Sequence, residues 1–495
     1  MYPERRGDAI LDPGVRRRRL GHQAWDVPSR MFPGGQHIRK GDDLVRAGID
    51  AVAESPRDRW LGELHVRVAH DGRGAHLALH QVGHQAEHVV GFLSHGAMVD
   101  QENGFHTGGN IHSQRMPPEP RRVLLVEQNR DGTAGGSYQS LYDIARSLDR
   151  RRYIPQVLFH QTNRFVDRLT ALDVPVHIWS PPHRSNRVTN ALGGILDRVA
   201  MLKRLGIDIV HLNNAPAAGA DDWLPAARIR GIPCITHARV MVRPGHDAIH
   251  RWLHRRYDLV LGDSRHVAEA VVTVTGIARD RVRVVYEGVD ADAFRQSIRC
   301  PAATVRERHG VRPDDVLIVM VGHLRPWKGQ HVLVDALARV KNREHLKAIF
   351  VGGTPTFHTD YVDQLKATAA ATGLSEVVSF VGERDDVADF MNAADVVVHA
   401  STEPEPFGIV VVEGMALGKA VLASALGGPL EIITPGTGML FDPAKPEELA
   451  AAIDRVAADA TFRAELGRAA QARADVFSVR ALVSGTEAAY DSVSQ

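Results

Sequence analysis

The chain has 495 residues, 44% of them hydrophobic and 24% charged, with 60 basic against 59 acidic side chains. That length exceeds what one hydrophobic core serves, so two or more domains are expected, and a net charge of +1 advertises neither nucleic acid nor a membrane as partner. Cys234 and Cys300 are the only cysteines, which excludes a disulfide framework and a cysteine-based zinc site, and no apolar run approaches the roughly 18 residues that span a bilayer.

The opening "MYPERRGDAI" has no hydrophobic stretch after its charges and does not read as a secretory signal, so a cytoplasmic chain is expected, with membrane contact at most peripheral at the inner face. Residues 1–115 hold eleven of the 26 histidines but few signs of strands or capped helices. His76, His80, His84 and His88 recur every four residues, a spacing that would align imidazoles for zinc on a helix. The segment offers no continuous apolar face, and a poorly structured extension, read as upstream sequence translated in error, is the expectation; Arg16 to Arg19 belong to it.

From Met116 onward short apolar runs alternate with longer helical stretches, the beat of parallel βαβ units. The runs fall at 123–127, 156–160, 174–179, 208–212, 232–236, 258–262 and 282–287. A charged, aperiodic stretch follows, and then runs at 316–322, 347–352, 377–382, 395–399, 420–424 and 438–441. Runs so continuously apolar suit strands covered on both faces. The expected architecture is α/β: two doubly wound parallel sheets, at 116–300 and 301–475, and a terminal segment 476–495.

Open α/β sheets bind ligands beyond the carboxyl ends of their strands, so the residues just after each run are the informative ones. After the first, "QNRDGTAGGSYQS" places Gly135 and Gly136 before a helix; it lacks the G-x-G-x-x-G fingerprint, and a plain tight turn or a phosphate or acceptor contact both fit. After the first run of the second half, "GHLRPWKGQ" offers Arg325 and Lys328 as a clamp for an anion, or as a solvated basic loop. "EPEPFGIVVVEG", residues 403–414, brackets apolar residues with Glu405 and Glu413. Unpaired carboxylates in such a setting cost several kcal/mol, so each needs an arginine-type partner or a ligand. A helix from Gly408 to Leu417 would bury Ile409, Val412 and Ala416 and leave free first-turn amides for a phosphate. "DDW" at 221–223 is a loose acidic pair of little weight as a metal site.

These motifs, in this order, resemble the retaining nucleotide-sugar glycosyltransferases of family 4, which have the GT-B fold of two facing Rossmann-like domains. The likeness rests on Glu405-x7-Glu413 with Phe407-Gly408 between, "GMALGKAV", "LGGPLEII" at 426–433, "GTGMLF" at 436–441 and the Gly-x-Leu-x-Pro-x-Lys-Gly pattern at 322–329. Gly135-Gly136, "THARV" (236–240) and "YEGVD" (286–290) match more loosely, and the resemblance runs from about residue 119 to the C-terminus, where "FSVRALVSGTEAAYDSV" is similar to the helix that crosses back to the first domain.

The resemblance implies a sugar transfer from a nucleoside-diphosphate sugar to an acceptor hydroxyl, with retention of configuration and no metal or other cofactor. Lys328 and Arg325 would neutralise the diphosphate, Glu405 would face the donor sugar, and His237 would lie beside it. Glu413 would take the ribose hydroxyls, with Gly135, Gly136, His323, Phe407, Gly408 and Ile409 also at the donor. The acceptor, whether glycan, lipid carrier or small molecule, is not specified. Two departures stand out: His323 occupies the place of the family's arginine, five residues before the lysine, and Glu287 replaces the asparagine of an N-G-V-D element. A nucleotide-sugar epimerase of the same fold, or a non-catalytic two-domain sugar-binding protein, would share part of this pattern.

Overall fold

The computed structural model describes residues 119–129, 135–182, 187–214, 223–242, 248–354 and 359–494. The 1–115 segment with its histidines, and Asp221 and Asp222, lie outside the described residues.

Each of the thirteen apolar runs carries a strand. The first seven are β1 (Arg121–Glu127), β2 (Tyr153–Phe159), β3 (Val176–Ile178), β4 (Ile209–Asn213), β5 (Cys234–Ala238), β6 (Leu259–Gly262) and β7 (Val282–Val284). They pair in parallel in the order β3-β2-β1-β4-β5-β6-β7. The other six are β8 (Val316–Val321), β9 (Leu346–Val351), β10 (Val378–Phe380), β11 (Val396–His399), β12 (Ala420–Ser424) and β13 (Met439–Phe441), a second parallel sheet ordered β10-β9-β8-β11-β12-β13. In both sheets the chain runs outward from the first strand and then returns to its other side, so a crevice opens between β1 and β4 and between β8 and β11.

Alternate residues of one strand feed cores on opposite faces. Val123 and Leu125 of β1 join one cluster, Leu124 and Val126 the other. Val316, Ile318 and Met320 of β8 are divided in the same way from Leu317 and Val319. That two-sided burial is why the runs are unbroken rather than alternating.

Three details differ from the sequence expectation. The seventh strand ends at Val284 rather than Glu287, because the chain turns away there and packs Tyr286 against Phe407 and Phe477, with ring centroids 6.1 and 5.3 Å away. The aperiodic stretch after it forms two short helices, Ala291–Gln296 and Ala302–Arg308. Helix Ile409–Ala416 buries Val411, Val412, Met415 and Ala416, while Ile409, at its first position, is only half-buried.

The last helix, Val479–Ser492, places Val479, Leu482, Val483, Ala489 and Tyr490 in the core of the first sheet. Arg152 and the Tyr153 hydroxyl bind its Asp491, the latter at 2.7 Å. A chain that has just completed the second sheet thus ends as part of the first domain.

Candidate active site

The loops after β8 and β11 meet. Thr402 donates its backbone N–H to the Trp327 carbonyl at 2.8 Å. Gly329, with φ of 74°, lies so close beneath that a Cβ would sit 1.8 Å from the Ala400 carbonyl oxygen. Only glycine fits, since both the positive φ and the contact exclude a side chain. This approach brings Lys328 Nζ to 2.7 and 3.0 Å from the two oxygens of Glu405, and holds it 4.2 Å from the centroid of the Trp327 ring.

Glu405 is nearly buried and also accepts from Ser401 Oγ at 2.8 Å, with His399 Nε2 at 3.2 Å. Burial alone would raise its pKa, but the Lys328 ammonium and then His399 outweigh it and hold the carboxyl well below the usual range. It is a carboxylate at any physiological pH. His323 and Arg325 occupy the same loop after β8; the imidazole of His323 is lowered by desolvation first, then by Arg325.

Gly408, with φ of 102°, caps helix Ile409–Ala416, and the Val411 N–H closes the first turn on the Gly408 carbonyl at 2.9 Å. The amides of Gly408, Ile409 and Val410 meet no acceptor among the described residues. Three unengaged N–H groups at a helix N-terminus are able to receive an anion, and they stand on the loop whose Glu405 meets Lys328. One turn into the helix, Glu413 meets no donor, arginine included, among the described residues. Burial pushes its carboxyl up to about 7, with no cation opposing the shift. Phe407 is buried on Tyr286 and Phe477, so its side chain fixes the loop and its backbone is what can face a ligand.

At the first sheet, Gly135 caps helix Gly136–Ser147, and a Cβ at Gly135 or Gly136 would meet no described atom within 4 Å. Packing among the described residues gives no reason for two glycines there. His237 lies inside β5 rather than after it and is fully buried. Its Nδ1 stands 3.0 Å from Arg239 Nη2 and its Nε2 3.1 Å from the Val285 carbonyl. A guanidinium only donates, so Nδ1 accepts and the proton sits on Nε2, donated to that carbonyl. Burial and the Arg239 charge keep the ring neutral. Both nitrogens are engaged within the protein, by contacts that support the ring.

Arg239 is the centre of that support and was overlooked in the sequence. Its Nε donates to Asn213 Oδ1 at 2.7 Å, its Nη1 forms an ion pair with Glu287, and Glu287 also accepts from Ser140 Oγ. Asn213 in turn binds Glu127 at 2.6 Å, and burial pushes that carboxyl up to about 7. Asp263, just past β6, is buried with no partner for its Oδ1 among the described residues. Arg239 and Asp263 directly follow strands, and Glu127 and Asn213 end theirs, the one signal that could have found them.

Comparison with known proteins agrees with this geometry. Residues 134–293 match the family described as Glycosyltransferase Family 4, and residues 302–473 that described as Glycosyl transferases group 1. The chain belongs to glycosyltransferase family 4.

Among curated relatives of this family 4 chain, the D-inositol 3-phosphate glycosyltransferase of Streptomyces avermitilis is 30% identical over 59% of the chain and 62% of the relative. The chain thus spans about three fifths of that relative's length. The one from Xylanimonas cellulosilytica is 28% identical over 71% of the chain and 92% of the relative. The solved structure of Anabaena Alr3699/HepE in complex with UDP-glucose superposes with a TM-score of 0.64 at 28% identity, covering 75% of this chain and 99% of that one. The GT-B fold is therefore established.

One of the two departures from the family pattern acquires physical content here. Glu287, where the asparagine is usual, is matched by Arg239 across the floor of the first domain, so the exchanged residue comes with its counter-charge. No helix among the described residues is long and apolar enough to cross a membrane.

Proposed function

We propose that this chain transfers a sugar from a nucleoside-diphosphate sugar to an acceptor hydroxyl, retaining the anomeric configuration and using no metal. The observation that carries the reading is the Lys328–Glu405 pair, 2.7 Å at its shortest, set beside the unengaged amides of Gly408 to Val410. A carboxylate for sugar hydroxyls and an ammonium for phosphate oxygens are thereby presented side by side. The Anabaena neighbour bound to UDP-glucose supports a uridine diphosphate sugar as donor. The relatives' names make an inositol phosphate an acceptor to test first.

In the transfer, the bond from the anomeric carbon to the diphosphate oxygen breaks and its electron pair leaves with the phosphate. The acceptor oxygen bonds to the same carbon on the same face, and its proton passes to the departing phosphate oxygen. Negative charge therefore grows on the diphosphate, which Lys328, Arg325 and the helix amides would meet in this reading, and groups that bind harder as it grows lower the barrier. A unit charge about 4 Å away at an effective dielectric near 20 is worth roughly 4 kcal/mol. If about half of that appears only in the transition state, the gain is on the order of 30-fold. Glu413 is read as the ribose acceptor and Glu405 as the group that orients the sugar. Residues 116–300 would carry the acceptor side and 301–475 the donor side, in a cytoplasmic enzyme with at most peripheral membrane contact.

Labelled nucleotide sugars incubated with the purified protein, with and without acceptors, test the reading. Product formed only with acceptor, of unchanged anomeric configuration by NMR and insensitive to EDTA, is expected. Turnover without acceptor would make the chain an epimerase, and binding without turnover a sugar-binding protein.

A further inference from the structure

The geometry points to Glu431 as a positioning residue that couples closure of the two domains to the placing of the donor-binding loop. This rests on the transferase reading above.

Glu431 belongs to the second domain, in the short helix Pro429–Ile432 that follows Gly427 and Gly428. Its carboxylate nevertheless caps a helix of the first domain, Arg265–Thr275. The backbone N–H of Arg265 donates to Oε2 and that of His266 to Oε1, both at 3.0 Å. Ser264, the N-cap residue of that helix, serves only the Val267 N–H. The preceding two amides thus take their acceptor from the opposite domain. The Tyr286 hydroxyl donates to Oε2 as well, at 3.0 Å.

The other side of the same loop is fastened to the donor site. Gly428 donates its N–H to the Glu405 carbonyl at 2.9 Å, and Glu405 and Gly427 form a backbone bridge. A Cβ at Gly427 would sit 2.1 Å from the Glu405 carbonyl oxygen, and one at Gly428 2.1 Å from that of Phe407. Arg473 grips the Glu431 and Ile432 carbonyls at 3.0 and 3.2 Å, so the loop has little freedom to move without its neighbours. Tyr286, besides holding Glu431, packs on Phe407.

Separation of the domains must therefore break the two charge-assisted N–H bonds from Arg265 and His266 to Glu431, and the strain falls on the residues that carry Glu405 and the Gly408 to Val410 amides. Conversely, closure re-forms the cap and seats that loop. Glu431 needs no contact with substrate for this; it acts through the backbone of Gly427, Gly428 and Glu405.

Hydrogen exchange on the full chain tests the coupling. In Glu431→Ala, the Arg265 and His266 amides are expected to exchange about tenfold or more faster, and the Gly428 and Val411 amides, bonded to the Glu405 and Gly408 carbonyls, about threefold or more faster. Glu431→Gln keeps one acceptor oxygen and should fall between wild type and alanine at both places. In the transfer assay, kcat falls about tenfold or more while KM for the donor stays within about threefold. Faster exchange confined to Arg265 and His266, or an unchanged rate at those amides, overturns the proposal, as does an undiminished kcat. Exchange decides the coupling even if the wild type turns over no donor, so failure of the transferase reading shows separately as wild-type inactivity.

Discussion

Lys328 Nζ lies 2.7 and 3.0 Å from the carboxylate oxygens of Glu405, which stands 77 residues further along the chain. With side chains 21% and 12% exposed, the pair is sheltered enough that its removal is felt by both fold and chemistry.

Lys328→Ala leaves a nearly buried carboxylate without its cation. A stability loss of about 2–3 kcal/mol is expected, together with a fall in kcat of roughly 30-fold or more. Adding Glu405→Gln should recover much of the stability, measured by urea denaturation, and none of the turnover. A double variant as active as wild type would remove the pair from the mechanism.

Glu413 gives a pH signature. Its folded-state pKa of about 7 lies above the usual 4.5, so the native protein holds the proton more tightly than the unfolded chain. That contribution to stability is fully present below about 4.5 and is lost as pH rises through about 7. Glu413→Gln, which cannot ionise, should therefore be more stable than wild type near pH 8 by about 1–2 kcal/mol. Hydroxyls of a ribose would bind the ionised form, so nucleoside-diphosphate affinity should weaken in the wild type as pH drops below about 7, beyond any change seen in Glu413→Gln. Calorimetric titration of the two proteins across that range makes the comparison.

Arg239 and Glu287 form an ion pair in the floor of the first domain. Arg239→Ala strands a buried carboxylate and frees the Nδ1 of His237, at an expected cost of about 3–5 kcal/mol. Glu287→Gln retains a hydrogen-bond acceptor and should cost about 1–2 kcal/mol. Melting curves that rank the two the other way would contradict this account of the network.

Glycines at two places answer to different causes. Gly427→Ala meets the Glu405 carbonyl and a φ of 70°, and should destabilise by on the order of 2–3 kcal/mol. Gly136→Ala meets no described atom and should leave stability within about 0.5 kcal/mol or raise it slightly. A donor that approaches the backbone there would still be bound more weakly by the alanine variant, which binding assays at matched stability will show.

The sequence by itself determined the thirteen strands and their grouping into two sheets, because burial on both faces demands continuous apolar, β-branched runs that need no partner to be recognised. It also picked out Glu405, Glu413, Lys328 and Gly408 as residues that follow strands whose carboxyl ends define the crevice. Only the tertiary structure decided which of these groups are already spoken for. The sequence does not show that both nitrogens of His237 are held, by Arg239 and by the Val285 carbonyl. Glu287 reads as an anomaly until Arg239 is opposite it, and Glu431 reads as an ordinary helix residue until it is found on the Arg265 and His266 amides of another domain. The physical reason is range: strand burial and local spacing act between neighbours in sequence, whereas the pairing of a buried charge is settled by whichever distant segment the fold brings within about 3 Å.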